Sequence, residues 1–263
     1  MMPCNLWGKP LDEVAIERIR FLAAEAERRN PTEGFFVGFS GGKDSVVLLD
    51  LFERSGVKHK AHYSVTTVDP PELVRFIRTF PQVQIDLAPK TMWRLIREHG
   101  CPPRRNMRYC CDELKERGGA DNQIVATGVR WAESIRRSSR RMIEPCYRKA
   151  RGRTLFHPII EWTTDDVWQY IRVRGLRYCP LYDEGFTRLG CVMCPLTDSV
   201  EREMNRWPRI AALWKRAILD TYDPDKNGSR RFNSPEEYWD WWLRRGVSPT
   251  DGDTLFSNGI DYE

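Results

Sequence analysis

The sequence predicts an α/β fold: a mostly parallel, twisted sheet with helices on both faces, plus a helical C-terminal part. Three observations carry the prediction. Short apolar runs alternate with amphipathic helical patterns through the first half of the chain. The first such run leads through a glycine-rich turn directly into a helix, and beyond Cys194 the chain becomes helical in pattern and rich in tryptophan. Strand–helix alternation demands crossover connections, and these produce parallel pairing.

Each element has a local reason. Leu11 to Arg29 reads as an amphipathic helix with Val14, Ile16, Ile19, Leu22 and Ala23 near one stripe and Pro31 just beyond its end. Gly34 to Phe39 is a short apolar run between turn residues, hence a buried strand. A helix over Ser45 to Arg54 follows and ends near Gly56. Strands are predicted at Ala61 to Thr67, Val83 to Leu87 and Gln123 to Thr127. Between them lie helices at Glu72 to Thr79, after Pro70 and Pro71, and at Thr91 to His99, stopped by Gly100. Thr163-Thr164-Asp165-Asp166 is a strong helix start, because a hydroxyl cap and early carboxylates satisfy free backbone N–H groups; this helix is expected to reach about Arg174 and stop at Gly175. Trp207, Trp214, Trp239, Trp241 and Trp242 are expected to fill a core. The polar tail from Pro249 to Glu263 is expected to be poorly ordered.

The 263 residues allow one large domain or a domain with an appendage, and the expected division is an α/β domain over 1–195 and a Trp-rich helical extension over 196–263 packed on it. Hydrophobic residues at 41% suffice for a core, and no run of 18 apolar residues suggests a membrane span. The N-terminal residues lack the pattern of a signal peptide, so a cytoplasmic location is expected. Eight cysteines in that setting are expected to be thiols or metal ligands rather than disulfides.

The turn after the first strand is Ser40-Gly41-Gly42-Lys43-Asp44-Ser45. Its glycines let backbone approach an anion closely, and the following helix N-terminus supplies partial positive charge. Lys43 adds a full charge, and Ser40 and Ser45 add hydroxyl donors. Asp44 would repel phosphate unless a cation intervened, which suggests Mg²⁺. The spacing does not fit a Walker A loop, since Gly38 precedes Gly42-Lys43 by too few residues and Asp44 stands where Ser or Thr is needed. Open α/β sheets bind ligands at the carboxyl ends of their strands, where this loop lies.

Positive charge is concentrated between Arg130 and Arg153. Arg130, Arg136, Arg137, Arg140, Arg141, Arg148, Lys149, Arg151 and Arg153 face only Glu133 and Glu144. The excess suits a polyanionic partner, with a solvated basic face as the alternative.

Cys110 and Cys111 are adjacent, and Cys191 and Cys194 form a Cys-x-x-Cys pair. Thiolates suit iron–sulfur clusters or zinc, and vicinal cysteines are awkward for an ordinary zinc knuckle. Cys4, Cys101, Cys146 and Cys179 fall in no motif, and Cys146, inside the basic segment, is the candidate for a sulfur-carrying thiol. Asp69, after the second strand, is a candidate for metal or ribose or for a helix cap; His59, His62, His99 and His157 show no ligand spacing.

Ser40 to Ser45 resembles the PP-loop of the ATP pyrophosphatases, enzymes that cleave ATP between its α- and β-phosphates. The chain as a whole resembles the phosphoadenosine-phosphosulfate reductase family within that group. The further matching pieces are Arg108 to Lys115, Thr127 to Ser134, His157 to Trp162 with Asp166-Val167-Trp168, and Pro180 to Asp183 through Gly190 to Cys194. The resemblance implies that Ser40, Gly41, Gly42, Lys43, Asp44, Ser45 and Arg130 bind ATP, that Lys43 and Asp44 serve catalysis, and that Cys110, Cys111, Cys191 and Cys194 ligate a [4Fe–4S] cluster, with structural zinc the alternative.

Reductases of the family carry a nucleophilic cysteine in a C-terminal Glu-Cys-Gly-x-His segment, and no cysteine follows Cys194 here. The chain is also similar to the sulfurtransferase component of DNA phosphorothioation systems, which has the PP-loop and cluster cysteines without that tail. This resemblance implies ATP and Mg²⁺ as cofactors, DNA as substrate, and a cysteine desulfurase as sulfur donor. Arg136, Arg137, Arg140 and Arg141 are then the candidate DNA-backbone contacts. A sulfonucleotide reductase, a tRNA thiolase, and a nucleic-acid-binding module with a structural metal stand as alternatives.

Overall fold

The computed structural model describes residues 2–146, 152–225 and 232–244. The basic residues Arg148, Lys149 and Arg151 and the tail from Pro249 lie outside the described residues. The chain forms two compact units that interleave in sequence. The first comprises Met1–Val65, Pro71–Leu87 and Gly118–Gly190; the second comprises Thr66–Pro70, Ala88–Arg117 and Cys191–Glu263. These units do not follow a linear cut at residue 195.

The first unit contains a six-stranded sheet in the order β3-β2-β1-β4-β6-β5. Its strands are β1 (Phe35–Gly38), β2 (His59–Ser64), β3 (Val83–Asp86), β4 (Ile124–Ala126), β5 (Ile143–Pro145) and β6 (Thr154–Phe156). All pairs are parallel except β5 with β6. From β1 the chain winds one way to β2 and β3, then the other way to β4 and β6. Right-handed crossovers in opposite directions put helices on both faces, as expected. The order reverses between β1 and β4, the position where open sheets take their ligands.

Helices α1 (Leu11–Phe21), α2 (Ala23–Arg29), α3 (Lys43–Ser55) and α4 (Pro71–Ile77) belong to this unit. The long helix expected over Leu11 to Arg29 is interrupted at Leu22, whose ψ of 0° breaks the run. In α3, Val47, Leu48, Leu51 and Phe52 are buried, and Phe52 meets Phe35 edge-on at 5.1 Å. Each such side chain contributes about 1.5–3 kcal/mol. Gly56 ends α3 in the left-handed region, as its position predicts. Strands β5 and β6 were not expected: both are three residues long and lie within or beside the Arg-rich segment, whose charge hides a strand pattern.

The second unit is helical. Helix α5 (Met92–His99) is capped by the Thr91 hydroxyl, which accepts from the Arg94 N–H, and ends at left-handed Gly100. The short α6 (Ile135–Ser138) and α7 (Thr164–Arg174) return to the first unit. The α7 start is the expected capping box: Thr163 accepts from the Asp166 N–H while the Asp166 carboxylate accepts from the Thr163 N–H. Helices α8 (Val200–Arg206), α9 (Pro208–Leu219) and α10 (Pro235–Leu243) complete the second unit. Trp207, Trp214, Trp239, Trp241 and Trp242 are all buried there, and Trp214 stacks on Trp242 at 5.0 Å. No helix among the described residues is long and apolar enough to cross a membrane.

Candidate functional site

The loop after β1 is a turn that only glycine can make at one point. Gly41 has φ of +72°, and a Cβ there would stand 2.7 Å from Leu73 Cδ1 and Ile77 Cγ1. Gly42 then serves as the extended N-cap of α3 without any side-chain cap. Uncapped N–H groups at a helix start form an anion-binding terminus. The Ser45 hydroxyl donates to the Gly42 carbonyl at 2.8 Å and lies 3.3 Å from the Ser40 hydroxyl, which ties the two ends of the loop together.

Three charges meet at this terminus. Asp44 presents Oδ1 to Arg130 Nε at 2.7 Å and Oδ2 to Lys43 Nζ at 3.2 Å. Arg130 follows β4, on the other side of the switch point, and is 1% exposed. Its Nη1 donates to the Trp162 carbonyl at 3.0 Å. Gly128 permits this approach, since a Cβ there would lie 3.0 Å from the Asp44 carbonyl oxygen. Two cations against one carboxylate leave a net positive charge beside the first N–H groups of α3. Glu133 is not a side-chain partner of Arg130: it accepts from the Arg130 backbone N–H and pairs with Arg137 instead. Asp44, which suggested Mg²⁺, has both carboxylate oxygens turned to protein cations.

Tyr182 is a site residue that sequence reasoning missed. Its hydroxyl accepts from the Lys43 N–H at 2.9 Å, and Lys43 Nζ lies 5.8 Å from the centre of its ring. Burial raises the phenol pKa, so the hydroxyl stays neutral. Trp168 meets the ring edge-on at 5.1 Å. The signal available in the sequence was Tyr182's place in one of the matching segments. His157, assigned nothing, is buried after β6 with Nδ1 2.8 Å from the Thr127 hydroxyl. Burial lowers its pKa against the pull of Glu144.

Cys110, Cys111, Cys191 and Cys194 all fall in the second unit and lie close enough to shift one another's ionisation. Cys110 immediately precedes a one-turn π-helix, Cys111–Lys115, a local bulge of the kind that re-aims side chains at sites. The hydrogen bond from Cys110 holds Cys111 below the usual thiol range, and the same bond, with burial, pushes Cys110 up. Burial pushes Cys191 up to about 11 against the pull of Lys115, and the Cys191 charge raises Lys115 in turn. The Cys-x-x-Cys turn is braced from several sides. Val192 N–H donates to the Val68 carbonyl, Trp214 Nε1 donates to the Val192 carbonyl, and the buried Glu203 accepts from the Met193 N–H and the Thr197 hydroxyl. Met193 sits in the left-handed region at φ of 57°. Among the described residues no three His, Cys, Asp or Glu side chains stand in a metal-holding arrangement. Asp69 accepts from the Thr66 N–H at 2.8 Å, within the same unit as these thiols. All eight cysteines are free.

The basic segment divides by burial. Arg130 and Arg153 are buried, and Arg153 Nη1 donates to the Gly118 carbonyl, so neither belongs to a basic surface. Arg136, Arg140 and Arg141 are exposed and Arg137 is half-exposed. Arg137 pairs with Glu133, and Arg140 with Glu144. Cys146 lies 4.0 Å from Arg153 Nη2.

The chain is 29% identical over 181 residues to a phosphoadenosine 5'-phosphosulfate reductase of Gloeobacter violaceus, covering 63% of this chain and 74% of that protein. It is 28% identical over 226 residues to an uncharacterized protein of Methanocaldococcus jannaschii, covering 80% of this chain and 44% of that protein, so it spans less than half of that relative's length. Among solved structures, the phosphoadenylyl-sulfate reductase of Candida auris in a phosphate complex aligns with a TM-score of 0.47 at 17% identity, covering 72% of this chain and 97% of that one. The model of the phosphoadenosine phosphosulfate reductase domain matches residues 34–197, from the start of the first strand to just past the Cys-x-x-Cys pair, and the chain belongs to that family.

Proposed function

We propose that this chain is an ATP pyrophosphatase that adenylates a phosphate oxygen of DNA so that sulfur can replace it. The observation that carries the reading is the Lys43–Asp44–Arg130 cluster at the start of α3. Loop N–H groups and Lys43 hold the β- and γ-phosphates of ATP, and the buried Arg130 acts from behind the loop, fixing Asp44 and adding positive charge beneath the phosphates. The DNA phosphate oxygen attacks the α-phosphorus, the α–β bond breaks, and pyrophosphate leaves. Sulfur from a cysteine desulfurase, reduced to the sulfide level by thiol, then displaces AMP, which carries the oxygen away. Because both oxygens of Asp44 face protein cations, Mg²⁺ would be held chiefly by the phosphates of ATP and would supply charge neutralisation there.

Cys110, Cys111, Cys191 and Cys194 fit an iron–sulfur cluster by donor chemistry alone: four soft thiols belong to one unit, and they would have to draw together from the arrangement described above to hold it. When bound, a [4Fe–4S] cluster would supply an iron face for sulfur. The relatives named as sulfonucleotide reductases favour a second reading, reduction of a small sulfonucleotide. Two measurements separate the readings. Mass spectrometry of DNA incubated with ATP, Mg²⁺, desulfurase and cysteine should find phosphorothioate, and Lys43→Ala should reduce pyrophosphate release about a hundredfold. ADP and orthophosphate as the products would defeat adenylation, and thiol-dependent sulfite release without DNA modification would establish the reductase reading.

A further inference from the structure

Next to the buried Arg130 stands an aromatic ring turned the other way. Trp131 is 43% exposed, although its backbone and indole are both tied down. Its N–H donates to the Ile160 carbonyl at 2.7 Å, and its indole Nε1 donates to the Arg140 carbonyl at 2.8 Å. The one polar atom of the ring is thereby satisfied by protein, and the ring is locked with its apolar surface partly in solvent. Among the described residues it has no aromatic stacking partner. Four residues on, Ile135 is 94% exposed at the start of α6. Around these two apolar groups lie Arg136, Arg137, Arg140 and Arg141, with Glu133 and Glu144 engaged by Arg137 and Arg140. The guanidinium groups of Arg136 and Arg141 have no carboxylate partner among the described residues, though the Arg141 backbone N–H donates to Glu144.

We propose that Trp131 is a stacking platform for an unpaired base of a single-stranded or locally opened DNA, with the arginines of the same segment on the flanking phosphates. This rests on the nucleic-acid reading above and sharpens it. A base in a duplex has both faces covered, so the platform selects a strand whose base has left the stack. An exposed aromatic ring held rigid loses little conformational freedom on binding, and every base offers it a π face. The surrounding positive charge complements the backbone of that strand and not an apolar protein partner. The placement also has a chemical consequence. Trp131 is joined by one peptide bond to the arginine that contacts Asp44 of the phosphate loop. A base anchored at Trp131 is thus carried by the residue adjacent in sequence to the arginine that sets the phosphate loop, whose own side chain is buried.

The test is fluorescence anisotropy of labelled oligonucleotides with the full chain. Trp131→Ala should weaken binding of a single strand about tenfold, and Trp131→Phe should keep most of the affinity. Wild type should lose a similar factor when the oligonucleotide is made abasic, and Trp131→Ala should lose nothing more on that strand. The fourfold Gln variant at Arg136, Arg137, Arg140 and Arg141 should instead flatten the salt dependence on every oligonucleotide. Equal affinity of Trp131→Ala and wild type for the intact strand, with the fourfold variant weakened, overturns stacking and leaves the nucleic-acid reading standing. An equal loss by Trp131→Ala on intact and abasic strands overturns it as well, because the ring then supports the loop and not a base. Absence of binding to any oligonucleotide by wild type overturns both readings.

Discussion

The phosphate loop and the Cys-x-x-Cys turn solve the same problem, holding a reactive loop still, by opposite means. In the first unit the loop is held by its own charges: Asp44 sits between Lys43 and Arg130, and the backbone is set by Gly41. In the second unit the turn between Cys191 and Cys194 is held by neighbours, through Val68, Trp214 and Glu203. A loop fixed by a buried ion pair depends on both partners, because removal of one leaves the other charge uncompensated. A turn braced by several neutral and charged hydrogen bonds should degrade in steps.

That contrast can be broken most directly at Arg130. Arg130→Ala should cost about 3–5 kcal/mol of stability, the usual penalty for breaking a buried pair, and should remove pyrophosphate release with it. Adding Asp44→Asn should recover much of the stability and none of the activity. Chemical denaturation of the two variants and the double variant measures the coupling; simple additivity would show that the pair is not what fixes the loop.

The corresponding test in the second unit is Glu203→Ala. It should cost about 2 kcal/mol, because it leaves the buried Met193 N–H without its acceptor at a residue already in the left-handed region. Iron content of anaerobically purified protein should fall, while ATP-dependent pyrophosphate release changes less. An equal fall in both would mean that the two loops do not respond separately.

Smaller again is Gly41→Ala. The new Cβ meets the buried Leu73 and Ile77 side chains, which must give way, and the positive φ remains, so a loss of about 1–3 kcal/mol is expected by thermal unfolding. A Leu73→Ala background should relieve part of the steric cost and none of the strain from the positive φ.

The smallest effect is expected at Tyr182. Tyr182→Phe frees the Lys43 N–H from its 2.9 Å hydrogen bond and leaves the ring beneath Lys43 in place. The KM for ATP should change about threefold to tenfold, the scale of one hydrogen bond, with a smaller change in kcat. An unchanged KM would assign the hydroxyl a packing role alone.

The elements differ in how far they were legible from sequence. Thr163 with Asp166 specified the start of α7, and Gly56, Gly100 and Gly175 marked helix ends, because caps act within a few residues of chain. Strands β5 and β6 were hidden, since a three-residue strand in charged sequence gains its stability from pairing rather than from pattern. The basic run from Arg130 to Arg153 was legible as charge and misleading as surface, for burial withdrew Arg130 and Arg153 from it.

By itself the sequence determined the α/β class, the glycine turn into α3, the apolar stripes and the two cysteine pairs, all of which depend on residue type and short-range spacing. The tertiary structure alone decided that Asp44 would meet Arg130, that Tyr182 would reach the Lys43 N–H, and that Glu203 would brace the Cys-x-x-Cys turn. The first two contacts join segments far apart in the chain, and Glu203 reaches back from α8, so each exists only once the backbone has been folded to bring it together. A charge or a hydroxyl in sequence specifies what it can bond to, while its partner is chosen by which groups the closed fold leaves within reach.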